Sequence, residues 1–242
     1  MASRDDKAPG TGRNLTYAML EQVGRDIVTG AYENRPFPTE AELASRHGVS
    51  RSVTREAVKM LTAKGLLTAR PRKGTSVQPS TSWNLFDPDV LRWLLERKFS
   101  LRLLRQFSDL RIAIEPAAAA LAAQAADDRA LAALSAGYGR MEAAEGGEDD
   151  ALDADIAFHI AVLDASANPF YMQFRDLVTT ALRTSIRFTN RFKGRTASLP
   201  AHRAVLDSIA ARDAPAARTA MAAIIEDVIV LIAEAEATED GA

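Results

Sequence analysis

Two histidines and an aspartate in the second half of the chain have the types and the spacing of a metal site. Asp155 and His159 are four residues apart, and His202 opens a later helical segment. Residues four apart lie on the same face of an α-helix. One carboxylate and two imidazoles are suitable ligands for a divalent transition metal, with zinc as the default. The alternative is a surface ion pair, or a core histidine whose ring nitrogens are hydrogen-bonded. An isolated D-x-x-x-H pattern is more often one of these than a metal site.

A second set of residues has the pattern of a DNA-reading helix. In the segment GVSRSVTREAVKML, Arg51 and Arg55 are four residues apart and point away from an apolar stripe. Arginine can bind O6 and N7 of guanine together, and such a pair discriminates against other bases by ~1–3 kcal/mol. The residues of this segment that we predict to contact DNA are Ser50, Arg51, Ser52, Thr54, Arg55 and Lys59. The alternative is a solvated helix face without a partner.

The elements around this segment predict a winged helix-turn-helix. Thr39 and Glu42 form a capping box that begins the second helix, and Gly48 falls in the short turn that follows. Ser50 is the predicted N-cap of the third helix. The sequence LLTARPRKGTSVQP then predicts a two-stranded hairpin, or wing. Its tip holds Arg72, Lys73 and Gly74, which we expect to enter the minor groove or to bind phosphates.

Beyond the wing the sequence predicts helices and no strand. Helical patterns occur at about residues 89–97, 100–126, 128–144, 150–166, 169–192, 199–211 and 214–236. The predicted fold is therefore mainly α: an N-terminal winged helix-turn-helix with a small β-hairpin wing, followed by a C-terminal all-α bundle of six or seven helices. The predicted parts are a tail at 1–13, the DNA-binding domain at 14–80, a linker at 81–88, an effector-binding and dimerisation domain at 89–237, and a tail at 238–242.

Charge and composition agree with two parts that have different partners. Residues 1–80 carry 13 Lys and Arg against 8 Asp and Glu, and the remaining residues carry 17 against 24. A basic front attracts phosphates, although an excess of five charges is modest evidence by itself. The chain has no cysteine, so it has neither a disulfide framework nor a thiolate metal site. No apolar run is long enough to span a bilayer and no secretory signal begins the chain, so we expect a cytoplasmic protein with no membrane partner.

The segment FPTEAELASRHGVSRSVTREAVKMLTAKGLLTARPRKGTSV resembles the DNA-binding domain of the GntR family of bacterial transcription regulators. The helical remainder resembles the FCD-type ligand-binding domain of the FadR subfamily. Four further segments are similar to the group of that subfamily that contains galactonate repressors: WNLFDPDVLRWLLE, LRIAIEPAAAALAA, DIAFHIAVLDASANP and HRAVLDSIAARDAPAA. One departure is Ala41, which stands where many members carry a DNA-contacting arginine.

The resemblance implies a site for a small acid in the helical domain. Many relatives hold a metal with an aspartate and three histidines, and Asp155, His159 and His202 match three of those positions. The fourth position is Ile224, which cannot be a ligand. Either water or the effector completes the metal's coordination, or the site has lost its metal and the same side chains bind the effector directly.

Arg111 matches an arginine that looks into the pocket of relatives. A guanidinium there could hold a carboxylate through two hydrogen bonds. The predicted effector site is therefore Arg111, Asp155, His159 and His202, with a sugar acid such as an aldonate as the effector. The alternative for Arg111 is an ion pair with Asp109 or Glu115. Asn168 is a predicted turn residue, His47 a surface or phosphate-contact residue, and Phe188 and Phe192 either line the pocket or fill the core.

The leading prediction is a homodimeric, ligand-responsive transcription regulator, most simply a repressor, that binds double-stranded operator DNA. Dimers of such proteins bind half-sites that are about one helical turn, ~34 Å, apart or a multiple of that. One alternative is a metal-dependent helical enzyme fused to a DNA-binding module, although no additional base or nucleophile stands at a convincing spacing. Others are a regulator of a different small acid or an acyl-CoA, and a constitutive architectural DNA-binding protein.

Overall fold

The computed structural model describes residues 10–33, 35–70, 74–97, 100–192 and 198–240. The chain divides into two compact units, Met1–Lys98 and Phe99–Ala242. None of the helices in the described ranges is long and apolar enough to cross a membrane.

The N-terminal unit begins with the elements of a winged helix-turn-helix. They are α1 (Gly10–Val28), α2 (Glu40–His47), α3 (Arg51–Ala63), β1 (Leu67–Arg70) and β2 (Gly74–Val77). The two strands pair antiparallel, with Leu67 opposite Val77 and Arg70 opposite Gly74. The element order predicted from the sequence is confirmed.

Local side-chain chemistry sets the ends of α2 and α3. The Thr39 hydroxyl accepts a hydrogen bond from the Glu42 backbone N–H, and the Glu42 carboxylate accepts one from the Thr39 backbone N–H, which completes the predicted capping box. Gly48 ends α2 in the left-handed conformation, with φ at 62°, which costs glycine little. Ser50 then caps α3 by accepting a hydrogen bond from the Val53 N–H at 3.3 Å. These caps hold the turn that presents the first residues of α3.

The apolar stripe of α3 faces the interior of the N-terminal unit. Ala57, Val58 and Leu61 are buried and Val53 is half-buried. Helix α3 packs against α1, α2 and β1, so the opposite face of the helix is left to solvent. The predicted buried face of this helix is therefore the observed one.

A further helix, α4 (Pro88–Leu94), belongs to the N-terminal unit and packs against α1. Trp93 is completely buried and lies against Gly24 of α1, where a methyl group would collide with the indole ring. Arg92 donates hydrogen bonds to Glu21 of α1. The predicted domain boundary fell at residues 81–88, before this helix, whereas the structural division falls after residue 98.

Ion pairs also tie the beginning of α4 to the end of α3. Lys64, which follows α3, lies 2.8 Å from a carboxylate oxygen of Asp87 and 2.8 Å from one of Asp89. Burial lowers the pKa of Lys64, but the two carboxylates outweigh that effect and raise it. Asp87 is at the same time the N-cap of α4. The N-terminal unit thus extends through the segment that the sequence suggested as a linker.

The C-terminal unit is entirely helical within the described residues. Its helices are α5 (Leu101–Ala125), α6 (Asp128–Glu145), α7 (Ala151–Ala165), α8 (Pro169–Met172), α9 (Arg175–Phe192), α10 (Leu199–Ala210) and α11 (Ala214–Asp240). Helix α5 packs against α7, α9, α10 and α11, which places it at the centre of the bundle. The predicted all-α bundle is confirmed.

Alanines and one glycine allow the central helices to approach closely. On α5, Ala118, Ala119, Ala122 and Ala123 are all completely buried. Gly137 of α6 faces the backbone of α7, and an added methyl group would lie 3.1 Å from the Phe158 Cα. Close contact between α6 and α7 holds Phe158 and its neighbour His159 in the interior.

One predicted helix is divided in two. The segment 169–192 was expected to be continuous, but α8 ends at Met172 and α9 begins at Arg175. The predicted turn residue Asn168 caps α8, because its side-chain oxygen accepts a hydrogen bond from the Phe170 N–H at 3.0 Å. Tight turns then close at the carbonyls of Phe170 and Tyr171, which end the short helix.

Candidate functional site

The exposed face of α3 carries most of the predicted DNA contacts. Ser50, Arg51, Ser52, Arg55 and Lys59 are all exposed. The Arg55 side chain is 66% exposed and that of Lys59 is 69% exposed. Because the other face of α3 is packed into the unit, these side chains are presented together on the open side.

The two basic side chains in the middle of α3 have weak intramolecular partners. Arg55 Nε lies 3.7 Å from a Glu40 carboxylate oxygen, and Lys59 Nζ lies 3.9 Å from one of Glu56. Exposed pairs at such distances contribute ~0–1 kcal/mol. Binding to a nucleic acid would therefore disrupt little of the existing structure.

Thr54 does not belong to this exposed face, and its prediction as a DNA contact was wrong. Its side chain is completely buried, and its hydroxyl donates a hydrogen bond to the Ser50 carbonyl at 3.2 Å. Thr54 lies one position after Val53 and three before Ala57, so it falls on the packed side of the helix. The structure gives Thr54 a role in packing and in the first turn of α3.

The serines at the start of α3 share a hydrogen bond, with their Oγ atoms 2.8 Å apart. Ser50 also accepts the N-cap hydrogen bond, which leaves Ser52 as the freer hydroxyl of the two. A helix N-terminus with exposed hydroxyls favours a phosphate group.

The wing contributes one described residue of the predicted tip. Gly74 is exposed and has φ at 78°, a conformation that favours glycine. Arg72 and Lys73 lie outside the described residues. Arg70, which is exposed at the end of β1, was not among the predicted contacts. The sequence signal for Arg70 was its position only two residues before Arg72 of the basic tip.

The C-terminal unit brings Asp155, His159 and His202 into one buried cluster. Helix α7 supplies Asp155 and His159, and α10 supplies His202. The two Nε2 atoms are 3.4 Å apart, and Asp155 Oδ1 lies 3.1 Å from His202 Nε2 and 3.7 Å from His159 Nε2. All three residues are at most 5% exposed. The predicted juxtaposition across helices is present.

The outer nitrogens of both imidazoles are already engaged. His159 Nδ1 contacts Glu115 Oε2, and His202 Nδ1 donates to the Ser198 carbonyl at 2.8 Å. An ionised carboxylate and a carbonyl can only accept, so each ring carries its hydrogen on Nδ1. Neutral rings in this form present a lone pair at Nε2, and metal-binding histidines have the same arrangement.

The cluster fits a divalent metal ion by spacing and by polarity. Zinc at 2.0–2.1 Å from tetrahedral ligands requires ligand atoms about 3.4 Å apart, and the three observed distances bracket that value. Asp155 Oδ1 is buried and receives no hydrogen bond from the described residues, although His202 Nε2 is near it. Three facing acceptors need a positive species between them, either a metal ion or a proton on one ring.

Burial alone would raise the pKa of Asp155. The close approach of His202 Nε2 lowers it most, and positive charge from the imidazoles, when they are protonated, and from Arg111 adds to this, so that the pKa lies below its usual value. The carboxylate is therefore in the charged form that a metal ligand requires.

Arg111 of α5 is buried beside this cluster and forms an ion pair with Glu115. Its Nε donates to Glu115 Oε1 at 2.6 Å, and both side chains are at most 2% exposed. Of the two partners considered from the sequence, Asp109 instead lies near Arg105, at 3.5 Å. The Nη1 and Nη2 atoms of Arg111 make no hydrogen bond with the described part of the chain.

Glu115 belongs to the same buried cluster, although the sequence predicted it only as a possible partner of Arg111. Burial raises its pKa, but Arg111 and His159 outweigh burial and lower the pKa to about 2. The signal was its spacing of four residues from Arg111 within an apolar helix, where an acidic side chain needs a buried partner. Its contact with His159 of α7 could not be read from that spacing.

The remaining residues considered from the sequence lie in several places. Ile224 of α11 is half-buried and packs against the hydrophobic core. His47 is the last residue of α2 and is half-buried. Phe188 and Phe192 fall in α9, but their side chains lie outside the described residues.

Comparison with known proteins assigns the chain to a family. Residues 16–77 match the family described as bacterial regulatory proteins, gntR family, and residues 106–227 match the FCD domain. The transcriptional regulator YieP of Escherichia coli K12 is 34% identical over 216 residues, which cover 88% of this chain and 93% of that protein. The chain belongs to the GntR family. Within this family the FCD domain makes it a regulator of the FadR type, as the sequence resemblance implied.

Two further similarities cover most of this GntR chain. The galactonate operon transcriptional repressor of Escherichia coli K12 is 33% identical over 217 residues, which cover 88% of this chain and 94% of that protein. The structure titled E. coli McbR/YncC has a TM-score of 0.51 at 18% identity, covering 92% of this chain and 98% of that one, and it indicates the shared fold only. The matched gntR family consists of regulatory proteins and these curated relatives are transcription regulators, so the chain is a DNA-binding transcription regulator and not an enzyme.

Proposed function

We propose that this GntR regulator is a repressor of an operon for the breakdown of sugar acids or related organic acids. The observation that carries the proposal is the buried polar cluster in the C-terminal unit, where Arg111 lies near two histidines and an aspartate in the interior of the bundle. Buried ionisable groups cost stability unless they are paired, and such clusters are concentrated at functional sites.

The effector that fits these groups is a small hydroxylated carboxylic acid. The Nη atoms of Arg111, which make no hydrogen bond with the described residues, can hold a carboxylate through two hydrogen bonds, and the histidine and aspartate side chains can bind hydroxyl groups. Similarity to the galactonate operon repressor supports an aldonate as the first compound to test. A 2-keto acid, lactate or an acyl-CoA thioester is an alternative effector, because each has a carboxylate or other polar group that these side chains could bind.

A zinc ion fits the cluster, with Asp155, His159 and His202 as its protein ligands. When bound, it would supply a positive charge that attracts carboxylate and hydroxyl oxygens of the effector. The position of Ile224 leaves three protein ligands, and water or the effector would complete the coordination.

The proposed DNA-reading surface consists of Ser50, Arg51, Ser52, Arg55 and Lys59 on α3, with Arg72, Lys73 and Gly74 on the wing. A homodimer would present two such surfaces to half-sites that are about one helical turn apart, ~34 Å, or a multiple of it. Effector binding would favour a dimer geometry that does not match the operator, with a coupling of ~1–3 kcal/mol.

Two measurements on the purified protein test this function. A thermal-shift panel of aldonates, 2-keto acids, lactate and acyl-CoA thioesters is recorded with and without prior chelation, because a true effector stabilises the protein by mass action. The stabilising compound is then added to the protein bound to a promoter duplex. Stabilisation by an aldonate together with release of the duplex supports the proposal. Stabilisation by another acid alone changes the effector class, and stabilisation by none favours a constitutive DNA-binding protein.

A further inference from the structure

Glu115 connects the two halves of the buried site. Its Oε1 accepts a hydrogen bond from Arg111 Nε at 2.6 Å, and its Oε2 contacts His159 Nδ1. The three side chains are at most 2% exposed, so water does not compete for these contacts. One carboxylate of α5 therefore holds the arginine of its own helix and a histidine of α7.

We propose that Glu115 is a positioning residue that sets the tautomer of His159, and thereby aims the His159 Nε2 lone pair at the metal position beside Asp155 and His202. Arg111 holds Glu115 in place from the other side. The inference rests on the proposed function only in assigning the cluster to metal binding, because the tautomer itself is a property of the protein alone.

The chemical reason is that a carboxylate accepts hydrogen bonds at both oxygens. Arg111 Nε can only donate, and His159 Nδ1 must also donate to satisfy Glu115. A neutral imidazole carries one hydrogen, so a hydrogen on Nδ1 leaves Nε2 unprotonated. His159 Nε2 lies 3.4 Å from His202 Nε2 and 3.7 Å from Asp155 Oδ1, at the centre of the three-acceptor cluster.

An isosteric glutamine at position 115 would break this arrangement whichever way its amide points. If the amide oxygen accepts from Arg111, the NH₂ group faces His159 Nδ1 and favours the reversed tautomer, with a hydrogen on Nε2 that blocks a metal ligand. If the oxygen faces His159, the NH₂ group meets Arg111 Nε–H, and two donors oppose each other in a buried position. The first orientation keeps the bond to the charged guanidinium and is the one we expect.

The experiment combines the tautomer of the metal-free protein with its affinity for zinc alone. The chain contains three histidines, so ¹⁵N spectra of imidazole-labelled protein contain few signals to assign. Spectra are recorded at about pH 8.5, roughly two units above the ordinary pKa of histidine. Zinc affinity is measured by competition with a chromophoric chelator for wild type, Glu115→Gln and the matched control Glu145→Gln, which changes an exposed glutamate of α6.

The expected result is an Nδ1–H tautomer for His159 in wild type and in the control, and an Nε2–H tautomer in Glu115→Gln. Zinc affinity should fall 10–100-fold in Glu115→Gln and stay unchanged in the control. The inference is overturned by an Nε2–H tautomer in wild type, by an unchanged tautomer and zinc affinity in Glu115→Gln, or by a wild type that binds no zinc. The wild-type spectrum tests the inference even where the variant does not fold. None of these failures affects effector-driven release of the operator, so failure of the proposed function remains distinguishable.

Discussion

Removal of the Arg111 side chain should destabilise the C-terminal unit much more than the loss of an ordinary ion pair. Arg111 and Glu115 are both at most 2% exposed, so Arg111→Ala leaves a buried carboxylate with His159 as its remaining partner. Breaking a buried pair by removing one member costs about 3–5 kcal/mol. For a unit of this size, about 2–4 °C per kcal/mol converts that loss into a fall in Tm of roughly 6–20 °C.

A second substitution separates this effect on stability from the effect on effector binding. The double variant Arg111→Ala/Glu115→Gln removes the unpaired charge as well as the guanidinium, and it should recover about 2 kcal/mol of the loss, since a neutral buried amide costs less than a charge. Compared with Glu115→Gln alone, the double variant should bind operator equally well but fail to release it when effector is added.

Calorimetric melting of wild type, both single variants and the double variant measures the four stabilities. A loss below about 1 kcal/mol for Arg111→Ala would contradict the buried pair, because that is the range of exposed ion pairs. An absence of recovery in the double variant would show that the stranded carboxylate is not the cause. Release of the operator from the double variant at the effector concentration that releases wild type would refute the role of Arg111 as the carboxylate clamp.

Three other predictions concern DNA binding, the N-terminal unit and pH. Arg55→Ala should weaken operator binding by ~1–3 kcal/mol, roughly 5–150-fold, without changing the melting temperature. The exposed control Arg203→Ala should leave operator binding unchanged. Equal operator affinities of Arg55→Ala and wild type in fluorescence anisotropy would contradict the role of α3. Trp93→Ala should lower the free energy of unfolding of the N-terminal unit by about 3–5 kcal/mol, measured with denaturant, and leave the C-terminal unit folded. Loss of the unfolding transition of the C-terminal unit instead would contradict the placement of α4. The pKa of Glu115 is about 2 in the folded protein and its ordinary value is 4.5, so its stabilising contribution is complete above about pH 5 and is lost as the pH falls toward 2. Stability measured over that range should fall less steeply in Glu115→Gln, and parallel curves would count against the lowered pKa.

The elements that the sequence predicted well are those set by neighbouring residues. Three local features were predicted correctly: the capping box of Thr39 and Glu42, the turn at Gly48 and the N-cap Ser50. Each depends only on residues within a few positions, so the sequence pattern is sufficient to predict it. The i,i+4 spacing of Asp155 and His159 likewise placed both side chains on one face of a helix.

Contacts between distant segments could not be predicted in the same way. Trp93 docks on Gly24 across about seventy positions, and no local pattern distinguishes a helix that packs backward onto α1 from one that begins the next domain. Thr54 was predicted as a DNA contact because threonine is polar. Its hydroxyl can nevertheless be buried beside an apolar stripe, because it donates a hydrogen bond to the backbone carbonyl four residues earlier. Pairing of Glu115 with His159 depends on how closely α5 and α7 pack.

The decisive experiment for this regulator is to measure the affinity of the 242-residue chain for a duplex from its own promoter region, with and without a saturating effector. We expect specific binding at moderate ionic strength, and a Kd that rises about 5–150-fold when the stabilising acid is added. An unchanged Kd in the presence of an acid that demonstrably binds the C-terminal unit, or no binding of the duplex at all, would contradict this expectation.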